Sequence, residues 1–292
     1  MQPVFVGDVQ GCGDELDELV RRATARLGSG FELWLVGDLI NRGPANLDLL
    51  RRVREWVERG RCRFVLGNHE LALLRAAWRL REPQPLDTFQ DVLGDPEIGD
   101  WVEWLRRRPL AEAGQLGERR FVMVHAAVAP HWDLEEVLVR ARAVEARLGA
   151  DDGDRARALL AADPADDREA DDLARFTRCR TAARDGSWSA REPRRREDAW
   201  HHAWSARRHA YGVVYGHFAT QGLHVASGLR GLDTGCVHQG WGRDTALTAW
   251  LPDLGRADPF AVPDAGFWQA PARRRYYDER GPIAEPARAG AR

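Results

Sequence analysis

The chain has 292 residues, a formal net charge of −2 and four cysteines that form no CxxC pair. This length is sufficient for a sizeable core in one large domain or one domain with a cap, and the balanced charge excludes a global field that would attract nucleic acid or membrane. The cysteine spacing disfavours a disulfide framework, and no apolar run approaches the ~18 residues of a membrane span, so the sequence predicts a cytoplasmic protein.

Three apolar runs near the N-terminus each end in a glycine followed by a polar residue. Residues 4–6 precede Gly7-Asp8, residues 33–36 precede Gly37-Asp38, and residues 64–66 precede Gly67-Asn68. Apolar residues recur at helical spacing between the runs, which predicts a right-handed β-α-β-α-β arrangement with parallel strands. Asp8, Asp38 and Asn68 follow one another at intervals of 30 residues, about one βαβ unit. Such strands would bring three oxygen ligands to one edge of a sheet.

The rest of the chain alternates between helical and strand patterns. Residues 98–107 form a Trp-rich helical segment, residues 121–124 are an apolar run before His125, and residues 131–200 have the Ala, Arg, Asp and Glu content of a helical cap with a loop. Shorter apolar runs at 212–215, before His217, at 229–233 and at 246–250 predict a mixed or antiparallel second sheet. Residues 253–292 are rich in Pro, Gly and Arg, which predicts an irregular C-terminal tail.

Five polar residues share one sequence context, at or just after the end of an apolar run. They are Asp8, Asp38, Asn68, His125 and His217. A single histidine at a strand end is usually structural, but here both histidines repeat the context of the carboxylates. Carboxylate, amide and imidazole ligands together suit a pair of divalent metals such as Mn, Fe, Co or Zn. Asp38 is the natural bridge, and a bridged pair about 4 Å apart produces hydroxide at neutral pH and neutralises phosphoryl oxygens.

These residues resemble the phosphoprotein phosphatase branch of the metallophosphoesterases, whose pattern is GDxHG, GDxxDRG, GNHE and two later histidines. Within that branch the sequence is most similar to bacterial symmetrical bis(5′-nucleosyl)-tetraphosphatases, over residues 1 to about 251. The supporting stretches include Phe-Thr-Arg-Cys-Arg at 176–180 and Leu-Asp-Thr-Gly-Cys at 232–236. The resemblance implies a four-layer α/β/β/α sandwich over residues 1–252, with residues 131–200 as a helical cap or insert.

The resemblance also implies a ligand set for two divalent metals, with Mn as the first choice. Asp8 and Asp38 would hold the first metal, and Asp38, Asn68, His125 and His217 the second. Gln10 stands where the family has a histidine ligand, and a neutral amide oxygen would make the first metal site the weaker one.

Further residues take catalytic and substrate-binding roles by the same resemblance. His69 would protonate the leaving group, and Arg42, Arg178 and Arg180 would bind phosphate. Asn41 replaces the Asp that normally orients the catalytic histidine. Asn can orient an imidazole, but it cannot stabilise an imidazolium by charge.

Together these features predict a metal-dependent phosphoric anhydride hydrolase. It would cleave diadenosine tetraphosphate symmetrically to two ADP by attack of a metal-bridging hydroxide, with His69 as general acid. Its partners would be dinucleoside polyphosphates and, as a further class, nucleoside-capped RNA 5′ ends, with no membrane and no stable protein partner. Two alternatives stay open: a protein Ser/Thr phosphatase that uses the same centre, and a non-enzymatic binding module with a degenerate site.

Overall fold

A computed structural model describes residues 1–183, 185–240, 245–278 and 281–283. Its strands are β1 (Gln2–Val6), β2 (Phe31–Leu35), β3 (Cys62–Phe64), β4 (Ala111–Leu116), β5 (Arg119–Val124), β6 (Thr181–Ala182), β7 (Trp188–Ser189), β8 (Tyr211–Tyr215), β9 (His224–Ala226), β10 (Leu229–Gly231), β11 (Ala246–Trp250), β12 (Phe267–Pro271), β13 (Tyr277–Asp278) and β14 (Gly281–Pro282). Its helices are α1 (Gly13–Leu27), α2 (Asn46–Glu58), α3 (Asn68–Ala77), α4 (Gln90–Leu93), α5 (Ile98–Arg106), α6 (Leu134–Leu148), α7 (Gly153–Ala161), α8 (Arg168–Arg178) and α9 (Trp200–Ser205).

The first sheet has the strand order β12-β11-β1-β2-β3. Strands β1, β2 and β3 are parallel, as the repeated strand–helix pattern predicts. Helix α1 turns Leu16, Leu19 and Ala23 into the core, which accounts for the helical spacing of these apolar residues. The parallel order places the carboxyl ends of β1, β2 and β3 at one edge of the sheet.

The second sheet has the strand order β4-β5-β8-β10-β9 and is mixed, as predicted. Strands β5, β8 and β10 are parallel, and the two outer strands are antiparallel to their neighbours. The assignment of residues 246–250 to this sheet was wrong, because β11 pairs antiparallel with β1 in the first sheet. Trp250 stacks on Phe5 with ring centroids 5.2 Å apart, so an apolar contact with β1 determines where β11 lies.

An aromatic core joins the two sheets face to face. Phe121 on β5 lies 5.4 Å from Phe5 on β1 and 5.3 Å from Trp34 on β2, measured between ring centroids. Met123 and Val214 of the second sheet are buried in the same cluster. The opposite faces of both sheets pack against helices, so the α/β/β/α layering predicted from the sequence is confirmed.

The prediction of an irregular tail over 253–292 was wrong for residues 267–271. This stretch is β12, which pairs antiparallel with β11 at the edge of the first sheet. Proline is tolerated in an edge strand because a missing N–H costs little there, so the Pro-rich composition concealed the strand. Tyr276 is also buried, and its hydroxyl donates to the carboxylate of Glu15 on α1 at 2.6 and 2.7 Å. Residues 284–292 lie outside the described residues.

Residues 131–200 contain helices α6, α7 and α8, followed by the two-stranded hairpin β6–β7. Helix α6 contacts both α7 and α8, and α7 also contacts α3. This helical layer therefore lies against the helix that starts at Asn68. Within the described ranges, no helix combines the length and the apolar character that a bilayer crossing needs.

Candidate metal centre

The two sheets bring the ends of five strands to one rim. Asp8 follows β1, Asp38 follows β2, Asn68 starts α3 after β3, and His125 and His217 follow β5 and β8. His125 joins the sheets directly, because its Nδ1 donates to the Val36 carbonyl at 2.9 Å. Ligand atoms of Asp38, His125 and His217 all lie within 4.8 Å of one another. The structure thus brings together residues that are up to 209 positions apart.

Asp38 is the hub of the cluster. Its Oδ1 accepts the backbone N–H of His69 at 2.9 Å and lies 3.4 Å from Nε2 of His125. Its Oδ2 accepts Nε2 of Gln10 at 3.4 Å and lies 3.5 Å from Nε2 of His69. Nε2 of His125 also lies 3.2 Å from Oδ1 of Asn68. Since Nδ1 of His125 is the donor to Val36, its Nε2 has a free lone pair directed into the cluster.

Asp8 contacts the turn that carries His217. Both of its carboxylate oxygens accept the backbone N–H of His217, at 3.0 and 3.2 Å. Gly216 makes this contact possible, because a Cβ at that position would overlap Oδ1 of Asp8. Asp233, which follows β10, is a second buried carboxylate near Asp8 and Asp38.

Burial gives the cluster its electrostatic character. Burial raises the pKa of Asp38 to about 8, with a further contribution from Asp233. Burial, Asp233 and Asp38 raise the pKa of Asp8 well above its usual range. Burial lowers the pKa of His125 to about 4 and the pKa of His217 well below its usual range. Crowded carboxylates beside neutral imidazoles would be stabilised by a cation.

Two buried atoms in the cluster have no hydrogen-bond partner among the residues that the structure describes. They are Oε1 of Gln10 and Nε2 of His217. Buried polar atoms are normally satisfied, and both of these are lone-pair donors of the kind that ligate divalent metals. The donor set and the two orphaned atoms therefore fit metal binding.

The backbone at this rim is strained. Gln10, Asp38, Asn41, Arg42 and His217 all have positive φ, between 46° and 80°. Side chains other than glycine rarely adopt this conformation, and such strain concentrates at functional sites.

Glu70 holds the loop that carries Asp38. Its fully buried carboxylate accepts four backbone N–H groups, from Asp38 at 3.0 Å, Leu39 at 2.9 Å, Ile40 at 3.3 Å and Gly67 at 2.8 Å. Each carboxylate oxygen takes two of these donors. The junction after β2 is therefore fixed to the start of α3 by one side chain.

Asn41 orients His69 through a network that fixes its amide. Its Oδ1 accepts the backbone N–H groups of Arg42 and Thr88, both at 2.9 Å. Its Nδ2 donates to Asp87 at 2.9 Å and to Nδ1 of His69 at 2.7 Å. Because the amide must donate to Nδ1, this network assigns the His69 proton to Nε2. Burial and Arg42 lower the pKa of His69 well below its usual range.

A cleft of about 440 Å³ opens beside His69. Arg42 and Arg178 both line it, and Arg42 also donates to the Leu86 carbonyl at 2.6 Å. Arg180, which was predicted to bind phosphate, does not line this cleft. Arg180 instead donates to the backbone carbonyl of His217 at 3.3 Å and pairs with Glu192 at 3.2 Å.

The sequence model of the calcineurin-like phosphoesterases matches residues 1–230. The chain belongs to the calcineurin-like phosphoesterase family. As a member of this family, the protein is a hydrolase of the metallophosphoesterase type. Metallophosphoesterases use bound metal ions, so the family implies that this protein binds them as well. The buried cluster of Asp38, His125 and His217 could hold a metal ion.

Several proteins similar to this phosphoesterase are named for a specific reaction. A symmetrical bis(5′-nucleosyl)-tetraphosphatase of Citrobacter koseri is 35% identical, over 86% of this chain and 92% of the relative. One from Janthinobacterium sp. (strain Marseille) is 36% identical, over 83% of this chain and 90% of the relative. The crystal structure of a candidate diadenosine tetraphosphatase matches with a TM-score of 0.59 and 21% identity, covering 92% of this chain and 93% of that one, which supports the fold.

Three buried carboxylates of this phosphoesterase site were not predicted as site residues. Glu70 belongs to the Gly-Asn-His-Glu stretch, and Asp233 follows β10, a strand parallel to β8. Asp233 also stands just after an apolar run, at residues 229–232, so the sequence context that identified the other five residues would have identified it as well. Asp87, in contrast, lies in a loop whose sequence contains no signal for its contact with Asn41.

Proposed function

We propose that this phosphoesterase hydrolyses dinucleoside tetraphosphates at the middle bridge, so that diadenosine tetraphosphate yields two ADP. The observation that carries the proposal is the cluster of Asp38, His125 and His217, within 4.8 Å of one another, beside His69. The relatives that cover most of the chain are named for this reaction.

The proposed ligands divide between two divalent metal ions, with Mn as the first choice. Asp8, Gln10 and Asp38 would hold the first ion, and Asp38, Asn68, His125 and His217 the second. The orphaned Oε1 of Gln10 and Nε2 of His217 support both assignments. When bound, such a pair supplies an activated water and neutralises charge on phosphoryl oxygens.

His69 is proposed to act on the leaving oxygen. Asn41 donates to its Nδ1, so the imidazole presents an Nε2–H group on the side of Asp38 and the cleft. The same amide opposes a second proton on Nδ1, because two N–H donors would then face each other. His69 therefore donates a hydrogen bond, and not a proton, from a neutral ring to the departing oxygen, because loss of the Nε2 proton would leave an imidazolate. This is sufficient for a diphosphate leaving group, which is weakly basic, and insufficient for a serine alkoxide.

Two arginines are proposed to bind the phosphate chain. Arg42 and Arg178 line the cleft beside His69, and a planar guanidinium can bind two phosphoryl oxygens at once. Arg180 is proposed to act indirectly, since its contact with the His217 carbonyl holds the turn that positions a metal ligand.

Relative rates on two substrates test this function. With Mn present, kcat/KM for diadenosine tetraphosphate should exceed kcat/KM for phosphoserine peptides by at least about 100-fold, because only a diphosphate can depart without receiving a proton from His69. Faster turnover of the peptides would instead support the protein phosphatase alternative.

A further inference from the structure

One face of α3 extends from the metal site into the cleft. Asn68, Leu71, Ala72 and Arg75 recur at the three- and four-residue spacing of a helical face, and all four line the cleft. Arg75 stands six residues after His69, about 9 Å further along the helix axis. The cleft therefore extends from His69 along α3 at least as far as Arg75.

The cleft is strongly cationic. Arg42, Arg75, Arg81 and Arg178 line it, and Asp87 is its one carboxylate among the described residues. Arg42 and Arg81 both pair with Asp87, at 3.6 and 2.6 Å. In the described part of the chain, Arg75 and Arg178 have no carboxylate partner. Burial, Arg178 and Arg81 lower the pKa of Arg75 to about 10, as expected for guanidinium groups held close together.

Arg75 is held in place without being neutralised. Its Nε donates to the carbonyl of Leu160 on α7 at 2.9 Å. Its two terminal NH2 groups have no acceptor within the described residues. A guanidinium that is anchored at one nitrogen and free at the other two is prepared for a bidentate contact with phosphoryl oxygens.

The part of the cleft lining contributed by α7 and α8 is largely apolar. Its apolar residues include Leu159, Leu160 and Ala162 at the end of α7 and Leu173 and Ala174 on α8. Ligand sites commonly combine such apolar walls with a few placed charges. A cleft lined by arginines and by apolar side chains is complementary to a nucleoside diphosphate. The phosphates would contact the arginines, and the base would pack against the apolar side chains of α7 and α8.

We propose that this cleft is the subsite for the departing nucleoside diphosphate, and that Arg75 binds its phosphates and selects nucleotide substrates over simple phosphate esters. The proposal rests on the proposed function, since it assigns one half of the dinucleotide to a place beyond His69. Arg75 is a binding residue here, and it touches none of the reacting atoms.

The test compares Arg75→Gln, Arg75→Lys and wild type on diadenosine tetraphosphate and on p-nitrophenyl phosphate, with Mn in excess. Gln keeps an N–H group that can reach the Leu160 carbonyl but removes the charge. The expected result is an increase in KM that lowers kcat/KM for the dinucleotide about 10- to 100-fold, with a loss on p-nitrophenyl phosphate at least fivefold smaller. Lys, which keeps the charge, should recover part of the loss.

A matched control variant and a second measurement distinguish failure of the subsite proposal from failure of the proposed function. Arg157→Gln changes a mostly exposed arginine of α7 that stacks on Trp78 outside the cleft lining, and both activities should stay within twofold of wild type. Inhibition of p-nitrophenyl phosphate hydrolysis by ADP should weaken at least tenfold in Arg75→Gln. Unchanged ADP inhibition, or equal losses on both substrates, would overturn the subsite. A wild type that is inhibited by ADP but does not cleave the dinucleotide would overturn the proposed function alone.

Discussion

The Glu70→Gln variant tests how the metal-site loop is held. Gln has nearly the same shape as Glu, but one oxygen is replaced by an NH2 group that cannot accept. Each Glu70 oxygen accepts two backbone N–H groups, so either orientation of the amide leaves two buried donors without an acceptor. An unsatisfied buried donor costs roughly 1–3 kcal/mol, so the variant should lose about 2–6 kcal/mol of unfolding free energy.

The matched control for this variant is Glu145→Gln. Glu145 is half-buried, and the N–H groups of Leu110 and Ala111 both reach its Oε1, at 2.7 and 3.4 Å. A Gln there can keep both bonds on its single oxygen, so its loss should be only about 1 kcal/mol.

Urea unfolding at pH 8 would measure both variants. This pH is above the value of about 7 to which burial and Asp38 raise the pKa of Glu70, so the native carboxylate is charged. Activity should fall with stability in Glu70→Gln, because the displaced loop carries Asp38. Equal stability losses in the two variants, or full activity in Glu70→Gln, would refute the reasoning.

Two further predictions concern individual side chains. Gln10→His should tighten the binding of one metal equivalent and leave the second unchanged, because imidazole is the better ligand for transition metals; calorimetry that shows no change at either site would remove Gln10 from the ligands. The second side chain is His201, whose pKa is lowered to about 3 by burial, His224 and His202. Its depressed pKa contributes stability that is present above pH ~6.5 and is lost as pH falls, about 2 kcal/mol by pH 5. Unfolding free energies at pH 7 and pH 5 should therefore differ less in His201→Gln than in wild type, and equal differences would contradict this origin.

The clustering of the proposed metal ligands was predictable because their signal is local. Asp8, Asp38 and Asn68 each follow a short apolar run and a glycine, and parallel strands must bring their ends to one edge. His125 and His217 repeat this context on strands of the second sheet, and the structure places them at the same rim. Local sequence was sufficient here, because the position of each residue depends on its own strand.

Other parts of the site depend on contacts between distant segments. The amide of Asn41 is fixed by Asp87 and Thr88, more than 40 positions away, and no pattern near Asn41 indicates which atom faces His69. Arg75 looks like an ordinary helix-surface residue in the sequence. Only the packing of α7 against α3 turns it into the lining of a cleft.

The sequence also did not predict correctly where the C-terminal strands lie, because their positions depend on contacts with distant segments. Residues 246–250 have the pattern of a buried strand, but the pattern does not specify which sheet they join. The stack of Trp250 on Phe5 decides it. β12 then depends on β11, because its register follows the ladder from Ala246–Pro271 to Trp250–Phe267.

The most direct test of the proposed reaction is the identity of its products. Purified protein with Mn and diadenosine tetraphosphate should release ADP as the only nucleotide product, resolved by chromatography at early and late times. The proposed function predicts this result, because it places the phosphate chain across the proposed metal site and the departing nucleoside diphosphate in the cleft beyond His69. Release of ATP together with AMP would contradict the account.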